Sequence, residues 1–303
     1  MIKQTVILLF ILITLSCNHK ENDFVKTGQK KIDLQDYEGA ISDFTEAIEL
    51  NPNNIIAYSE RARAKSYLKD HQGEIEDLKK IIEIEPNNIS AYFSLASKAH
   101  FHFNSDIELP EVYLNRIIEI DPNNIKAYEY LTWMKVNIDY QETILIYSKI
   151  LAIDPNNENA LYGRGDQKMK LEDFRGAILD YTKIIELNPK SDNGYHKRAE
   201  AKKGLYDYRA AILDLSKAIE IDPKDSGNYH FRGQLKVLLK EYQSAISDFT
   251  KAIELNPEYN FIYKDRGLAK IKLNQKESAC LDFSKAGESG VSGAYDLIKD
   301  FCN

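Results

Sequence analysis

Apolar residues recur along most of the chain at i, i+3 or i+4 and i+7, the period of a helix with one face turned to a core. Two kinds of stretch alternate. One is exemplified by YHKRAEAKKGL (195–205) and YHFRGQLKVLL (229–239), the other by AISDFTEAIELNP (40–52), AILDYTKIIELNP (177–189), AILDLSKAIEIDP (211–223) and AISDFTKAIELNP (245–257). A short leucine–x–acid–aromatic turn joins the first kind to the second: Leu34 to Tyr37, Leu171 to Phe174, Leu205 to Tyr208 and Leu239 to Tyr242. The pattern predicts a helix A, a tight turn and a helix B, repeated.

The proline positions give the period. Pro52, Pro86, Pro122, Pro155, Pro189, Pro223 and Pro257 are spaced 34, 36, 33, 34, 34 and 34 residues apart. Proline ends helix B because it lacks an N–H and disfavours helix in the residue before it. Two residues later stand Asn54, Asn88, Asn124, Asn157, Ser191 and Asp225, each suited to cap the next helix A; Tyr259 breaks the series.

A 34-residue helical hairpin with small residues at fixed places resembles the tetratricopeptide repeat. Numbering each unit from 1 to 34, the aromatic at position 4 is Phe24, Tyr58, Tyr92, Tyr128, Tyr195, Tyr229 or Tyr263, and position 8 is Gly28, Ala62, Ala96, Gly165, Ala199, Gly233 or Gly267. Ala40, Ala177, Ala211, Ala245 and Ala279 hold position 20, and Ala47, Ala218, Ala252 and Ala286 hold position 27. The resemblance implies an all-α, right-handed superhelical solenoid. It has eight repeats, at about 21–54, 55–88, 89–124, 125–157, 158–191, 192–225, 226–259 and 260–288, and a capping helix over 289–303. Terminal repeats of such arrays expose an apolar face and need a cap.

Two departures from the family pattern are regular: lysine at position 11, where tyrosine is common, and arginine at position 7. Arg61, Arg164, Arg198, Arg232 and Arg266 occupy position 7 in the same repeats that carry Asp77, Asp180, Asp214, Asp248 and Asp282 at position 23. Repeats three and four lack both, with Leu95 and Tyr113 or Leu131 and Ile146 in their place. An Arg–Asp bridge between helix A and helix B of each regular repeat is expected. Repeat three also has two extra residues, and Pro110 falls in the first turn of its late helix B; repeat four has lost a residue near Asn137 and Ile138.

Helix A lines the concave face in this family. The positions that point into it here include Tyr67, Phe93, Phe101, Glu129, Trp133, Tyr162, Asp166, His196, Glu200, His230 and Gln234, with the chain's single tryptophan among them. Exposed aromatics in a groove are the usual anchors of a binding surface. The Lys/Asn/Arg set by which some relatives clamp a peptide carboxylate is absent from these positions.

Composition narrows the function. The net charge is −7, and the basic residues are dispersed, which argues against a nucleic-acid binder that must neutralise phosphates. No phosphate loop, dinucleotide fingerprint or nucleophile elbow is present, no cofactor or metal is implied, and the chain is not expected to be an enzyme. His196 and His230 share one position in adjacent repeats and are expected to face each other across about 10 Å, the spacing of neighbouring helices; His100 and His102 read as solvated loop residues.

The N-terminus reads as a targeting segment. Lys3 precedes the apolar stretch 5–15, which is followed by Ser16, Cys17 and polar residues. This resembles a bacterial lipoprotein signal over 1–16, with Cys17 lipidated and 17–20 a tether; an ordinary secretory signal or a short anchor are the alternatives. Cys280 and Cys302 each lie 11 residues from position 291 in the turn 287–293, so a helical hairpin centred there would bring them level. They form a disulfide in an exported protein, or are two small buried residues under the cap. The combined expectation is a lipid-anchored scaffold of the cell envelope that binds a partner protein or peptide in its groove. The alternative is a structural element whose repeats associate with copies of the chain.

Overall fold

A computed structural model describes residues 19–101, 108–136 and 138–302, and nothing is stated of the Phe101 side chain. The targeting segment, Cys17 and His102 lie outside the described residues. The contacts divide the chain into two compact units that meet between Trp133 and Met134.

The first unit holds α1 (19–33), α2 (Tyr37–Leu50), α3 (Ile55–Tyr67), α4 (His71–Ile84), α5 (Ile89–Phe101), α6 (Pro110–Ile120) and most of α7 (Ile125–Lys135). The second holds α8 (Tyr140–Ile153), α9 (Glu158–Lys170), α10 (Phe174–Leu187), α11 (Asp192–Gly204), α12 (Tyr208–Ile221), α13 (Ser226–Leu238), α14 (Tyr242–Leu255), α15 (Phe261–Ile271), α16 (Lys276–Glu288) and α17 (Ala294–Phe301). Odd-numbered helices up to α15 are helix A of a repeat and even-numbered ones helix B. The described residues contain no strand. Helix α1 already includes residues 19 and 20, which the sequence reading gave to a tether, and the cap is a shorter helix than the 289–303 expected.

The caps follow the linker chemistry. The side chains of Asn54, Asn88, Asn124, Asn157, Ser191 and Asp225 each accept a backbone N–H from the first turn of the helix that follows. After Tyr259 no such bond forms, and Asn260 stands at the N-cap without one. Pro110 opens α6, where its missing N–H costs nothing.

The five expected Arg–Asp bridges all form, and each is part of a larger cluster. The guanidinium meets the carboxylate with two bonds, Nη2–Oδ1 at 2.6–2.7 Å and Nε–Oδ2 at 2.9–3.1 Å. The second carboxylate oxygen also takes the position-11 lysine, Lys65, Lys168, Lys202, Lys236 or Lys270, at 2.7–2.9 Å. The remaining guanidinium arm, Nη1, donates to a hydroxyl on helix B of the preceding repeat: Thr45, Ser148, Thr182, Ser216 or Thr250. The arginine thus ties its own hairpin together and staples it to the previous one. The aspartates are only 3–7% exposed, so their charge is sustained by this complete set of partners. In repeats three and four the replacements Leu95, Tyr113, Leu131 and Ile146 are all buried, and the preceding helix B carries Lys79 or Asn115 instead of a hydroxyl. Arginine, aspartate and the preceding hydroxyl are therefore replaced together in these two repeats, whereas repeat four keeps a position-11 lysine, Lys135, which pairs with Glu142.

At the C-terminus α17 packs on α16. Cys280 and Cys302 are joined by a disulfide with Cα atoms 5.8 Å apart, Phe301 lies 6.4 Å from Phe283 between ring centres, and Ala294 is fully buried.

Candidate functional site

In the second unit the helix A series α9, α11, α13 and α15 forms one continuous face. Its polar side chains are bonded from helix to helix. Asp166 of α9 accepts the Tyr181 hydroxyl at 2.7 Å and lies 3.4 Å from the Lys197 ammonium of α11. Lys197 is also 3.4 Å from Glu200, which in turn lies 3.8 Å from His196 Nε2. Burial disfavours the Lys197 charge, but Glu200 and Asp166 outweigh it and hold its pKa above the ordinary value. Burial, reinforced by the bond to Asp166, pushes the Tyr181 phenol well above its usual range.

The next interhelix links are made by the two histidines. His196 Nδ1 is 2.6 Å from Asn228 Oδ1 of α13, and His230 Nε2 is 2.8 Å from Asp265 Oδ2 of α15, where Gln234 also donates at 3.1 Å. The two histidines, expected to face each other, both border one depression of this face, and each is bonded to the helix A that follows its own. Aromatic rings steady both: Phe231 lies 5.5 Å from His196, and Phe261 lies 5.1 Å from His230.

Two adjoining depressions open on this face. One, of about 420 Å³, is lined by Met169, His196, Glu200, Lys203, His230 and Phe231. The other, of about 350 Å³, is lined by Lys203, Gln234, Val237, Leu238, Phe249, Asp265 and Leu268. Lys203 and Gln234 border both. Apolar side chains form most of the second depression, with a few oriented polar groups around it, the usual make-up of a recognition site. Of the residues named from sequence, His196, Glu200, His230 and Gln234 are gathered here. Tyr162 and Asp166 stand one helix away, Tyr162 bonding Ser191 at 2.8 Å. Val237, Leu238, Asp265 and Leu268 were missed. Asp265 occupies position 6, outside the set taken to point into the groove, and its bonds to His230 and Gln234 mark it.

In the first unit the named residues are less connected. Trp133 is 56% exposed and packs edge-on against His100 at 4.6 Å, with Tyr130 at 5.7 Å. His100, read as a solvated loop residue, is instead half-buried in this aromatic cluster. Tyr67, also 56% exposed, stacks on Tyr37 at 4.6 Å. Phe93 is half-buried and Glu129 exposed.

The tetratricopeptide-repeat family model matches residues 28–54, 193–225 and 227–259. Among solved structures, that of MamA is 26% identical, with a TM-score of 0.52 over 57% of this chain and 96% of that one. YrrB, described as a TPR protein with an unusual peptide-binding site, is 17% identical, with a TM-score of 0.52 over 61% of this chain and 97% of its own. The C-terminal part of a TPR repeat-containing protein from Cytophaga hutchinsonii is 15% identical, with a TM-score of 0.60 over 77% of this chain and 95% of its own. The last two likenesses show the fold alone. No curated protein matches the sequence. The chain carries tetratricopeptide repeats, and its described hairpins are of that fold.

Proposed function

We propose that the protein is a non-catalytic adaptor that captures a segment of a partner protein on the helix A face of its second unit. The observation that carries this reading is the pair of adjoining depressions between α11, α13 and α15. Their polar groups are already fixed by interhelix bonds, so a ligand need not order them, and loss of freedom is a main cost of association. The apolar part, around Val237, Leu238 and Leu268, offers burial for a side chain of an extended segment. The carboxylates Asp166, Glu200 and Asp265 are each engaged by a neighbouring side chain, which holds the shape of this face.

The test is retention of partner in cells by the full chain and by Leu238→Asp, with Ser247→Asp, an exposed position of α14, as a control on the opposite side of the repeats. Loss of the partner only in Leu238→Asp supports the adaptor reading; equal retention by both variants counts against it.

The reading includes anchorage in the cell envelope through a lipid on Cys17. It is supported by the apolar stretch 5–15 running into Ser16 and Cys17. Cys17→Ala should move the protein from the membrane to the soluble fraction, and unchanged sedimentation with membranes would remove this part of the proposal.

A further inference from the structure

The opposite face of the second unit carries a row of leucines that the core does not use. Leu145 of α8, Leu179 of α10 and Leu213 of α12 are 60%, 71% and 68% exposed. Each is the sixth residue of its helix, so the three occupy the same place in three successive helix B segments. In α14 the equivalent residue is Ser247, which interrupts the row, and in α16 it is the exposed Leu281.

Cations flank the row on both sides. One turn before the leucines stand Arg175 and Arg209, and one turn after them Lys149, Lys183 and Lys217. Residues four apart share a helix face, so each of these cations borders its leucine. The carboxylates on this strip are Glu142, a turn before Leu145 and 2.6 Å from Lys135, and Glu186 and Glu220, a turn further along, 4.0 Å from Lys183 and 2.6 Å from Lys217. Five cations to three carboxylates leave the strip net positive on a chain whose net charge is −7. An open depression of about 450 Å³ between α8 and α10 is bordered by Leu151, Ala152, Leu179 and Lys183.

We propose that this strip is a docking surface for an anionic lipid bilayer. The partner is identified by the repetition. Exposed leucines repeated at one helix position and edged by arginine and lysine match a surface that repeats laterally as anionic headgroups over an apolar layer. The depression beside Leu179 and Lys183 provides room for a headgroup. A protein partner with one protruding anchor would find no distinct centre among three equivalent leucines. The proposal is independent of the adaptor reading, because it uses the helix B face.

The experiment is co-sedimentation of the full chain, made as Cys17→Ala so that no lipid is attached, with vesicles of phosphatidylglycerol and phosphatidylcholine or of phosphatidylcholine alone. Both proteins compared carry the same N-terminus, so the difference between them reports the strip. Leu179→Asp/Leu213→Asp should bind the anionic vesicles at least tenfold more weakly, and Arg175→Glu/Arg209→Glu should do the same. Added salt should weaken the unaltered strip. Because all four side chains are exposed, circular dichroism should show unchanged helix content in both variants. Binding of the leucine variant as tight as that of the parent would overturn the proposal. So would equal loss from neutral vesicles, or a dimer of the parent that dissociates in the variant, which would make the strip an interface between copies.

Discussion

Gly233 of α13 lies directly against the ring of Phe249 of α14, so closely that a Cβ added to the glycine would stand 2.6 Å from the phenylalanine Cε1. The relation recurs wherever position 8 is glycine: Gly28 faces Phe44, Gly165 faces Tyr181 and Gly267 faces Phe283, with a Cβ clearance of 2.5–2.7 Å in each. Where position 8 is Ala62, Ala96 or Ala199, the residue at position 24 is Leu78, Leu114 or Leu215. The two helices of a hairpin thus keep one separation by exchanging bulk between these positions.

Gly233→Ala should therefore destabilise the protein by about 1–2 kcal/mol, an overpacking loss partly offset by alanine's better helix propensity. Phe249→Leu alone should cost a similar amount by leaving a void. Combined, they recreate the Ala199–Leu215 pair, and the double variant should be more stable than the sum of the single losses by about 1–2 kcal/mol in denaturant unfolding. Additive losses would show that the two positions do not set the hairpin's width.

The Arg198–Asp214–Lys202 cluster predicts unequal costs for its members. Removing the buried carboxylate with Asp214→Ala strands two cations and should cost about 3–5 kcal/mol. Lys202→Ala leaves the bidentate pair intact and should cost clearly less. Removal of the Thr182 hydroxyl should weaken the staple between repeats by about 1 kcal/mol. Thermal melting of the three variants checks the order, and a Lys202 loss equal to that of Asp214 would contradict it.

The turn between helix A and helix B holds a left-handed residue in six repeats, and none is glycine: Gln35, Lys69, Glu172, Tyr206, Lys240 and Asn274 have φ of 58–63°. A side chain in this conformation costs about 1–2 kcal/mol, which glycine relieves at the expense of greater freedom in the unfolded chain. Tyr206 is 79% exposed, and its ring stands edge-on to that of Tyr208 at 6.3 Å, a small contact set against the backbone cost. Tyr206→Gly should raise stability by about 0.5–1 kcal/mol, read as a higher melting temperature; a lower one would contradict this account of the turn.

Much of this was legible in the sequence. The proline period, the caps and the paired appearance of arginine and aspartate are local or periodic signals, and the helices and bridges follow them. The reciprocity of Gly233 and Phe249 was also present in the letters, but only as a size relation sixteen residues apart, and it acquires meaning once the two helices are known to touch. Asp265 and the partners of His196 and His230 were not legible. Their bonds run between repeats, and their geometry depends on how each hairpin is rotated against the next. The position-11 lysines registered as departures from the family pattern, yet their shared carboxylate became evident only from the distances.

Tyr181 predicts a response to alkali. Its pKa is raised in the folded protein, so the folded state holds the phenolic proton more tightly than the unfolded chain does. The associated stability is complete below pH about 10, the ordinary tyrosine value, and falls as the pH rises above it. The melting temperature should decline between about pH 9.5 and 11 more steeply in the parent than in Tyr181→Phe. Parallel declines would show that this hydroxyl does not carry the alkaline sensitivity.

The adaptor reading is tested most directly by a photo-crosslinking residue at Leu238, which borders the apolar depression and is half exposed. Adducts formed in living cells would be identified by mass spectrometry and compared with those from the same residue at Leu213. One dominant foreign protein, captured at Leu238 and absent at Leu213, is the predicted result. The same adducts from both positions, or only adducts between copies of this chain, would contradict capture of a partner on the helix A face.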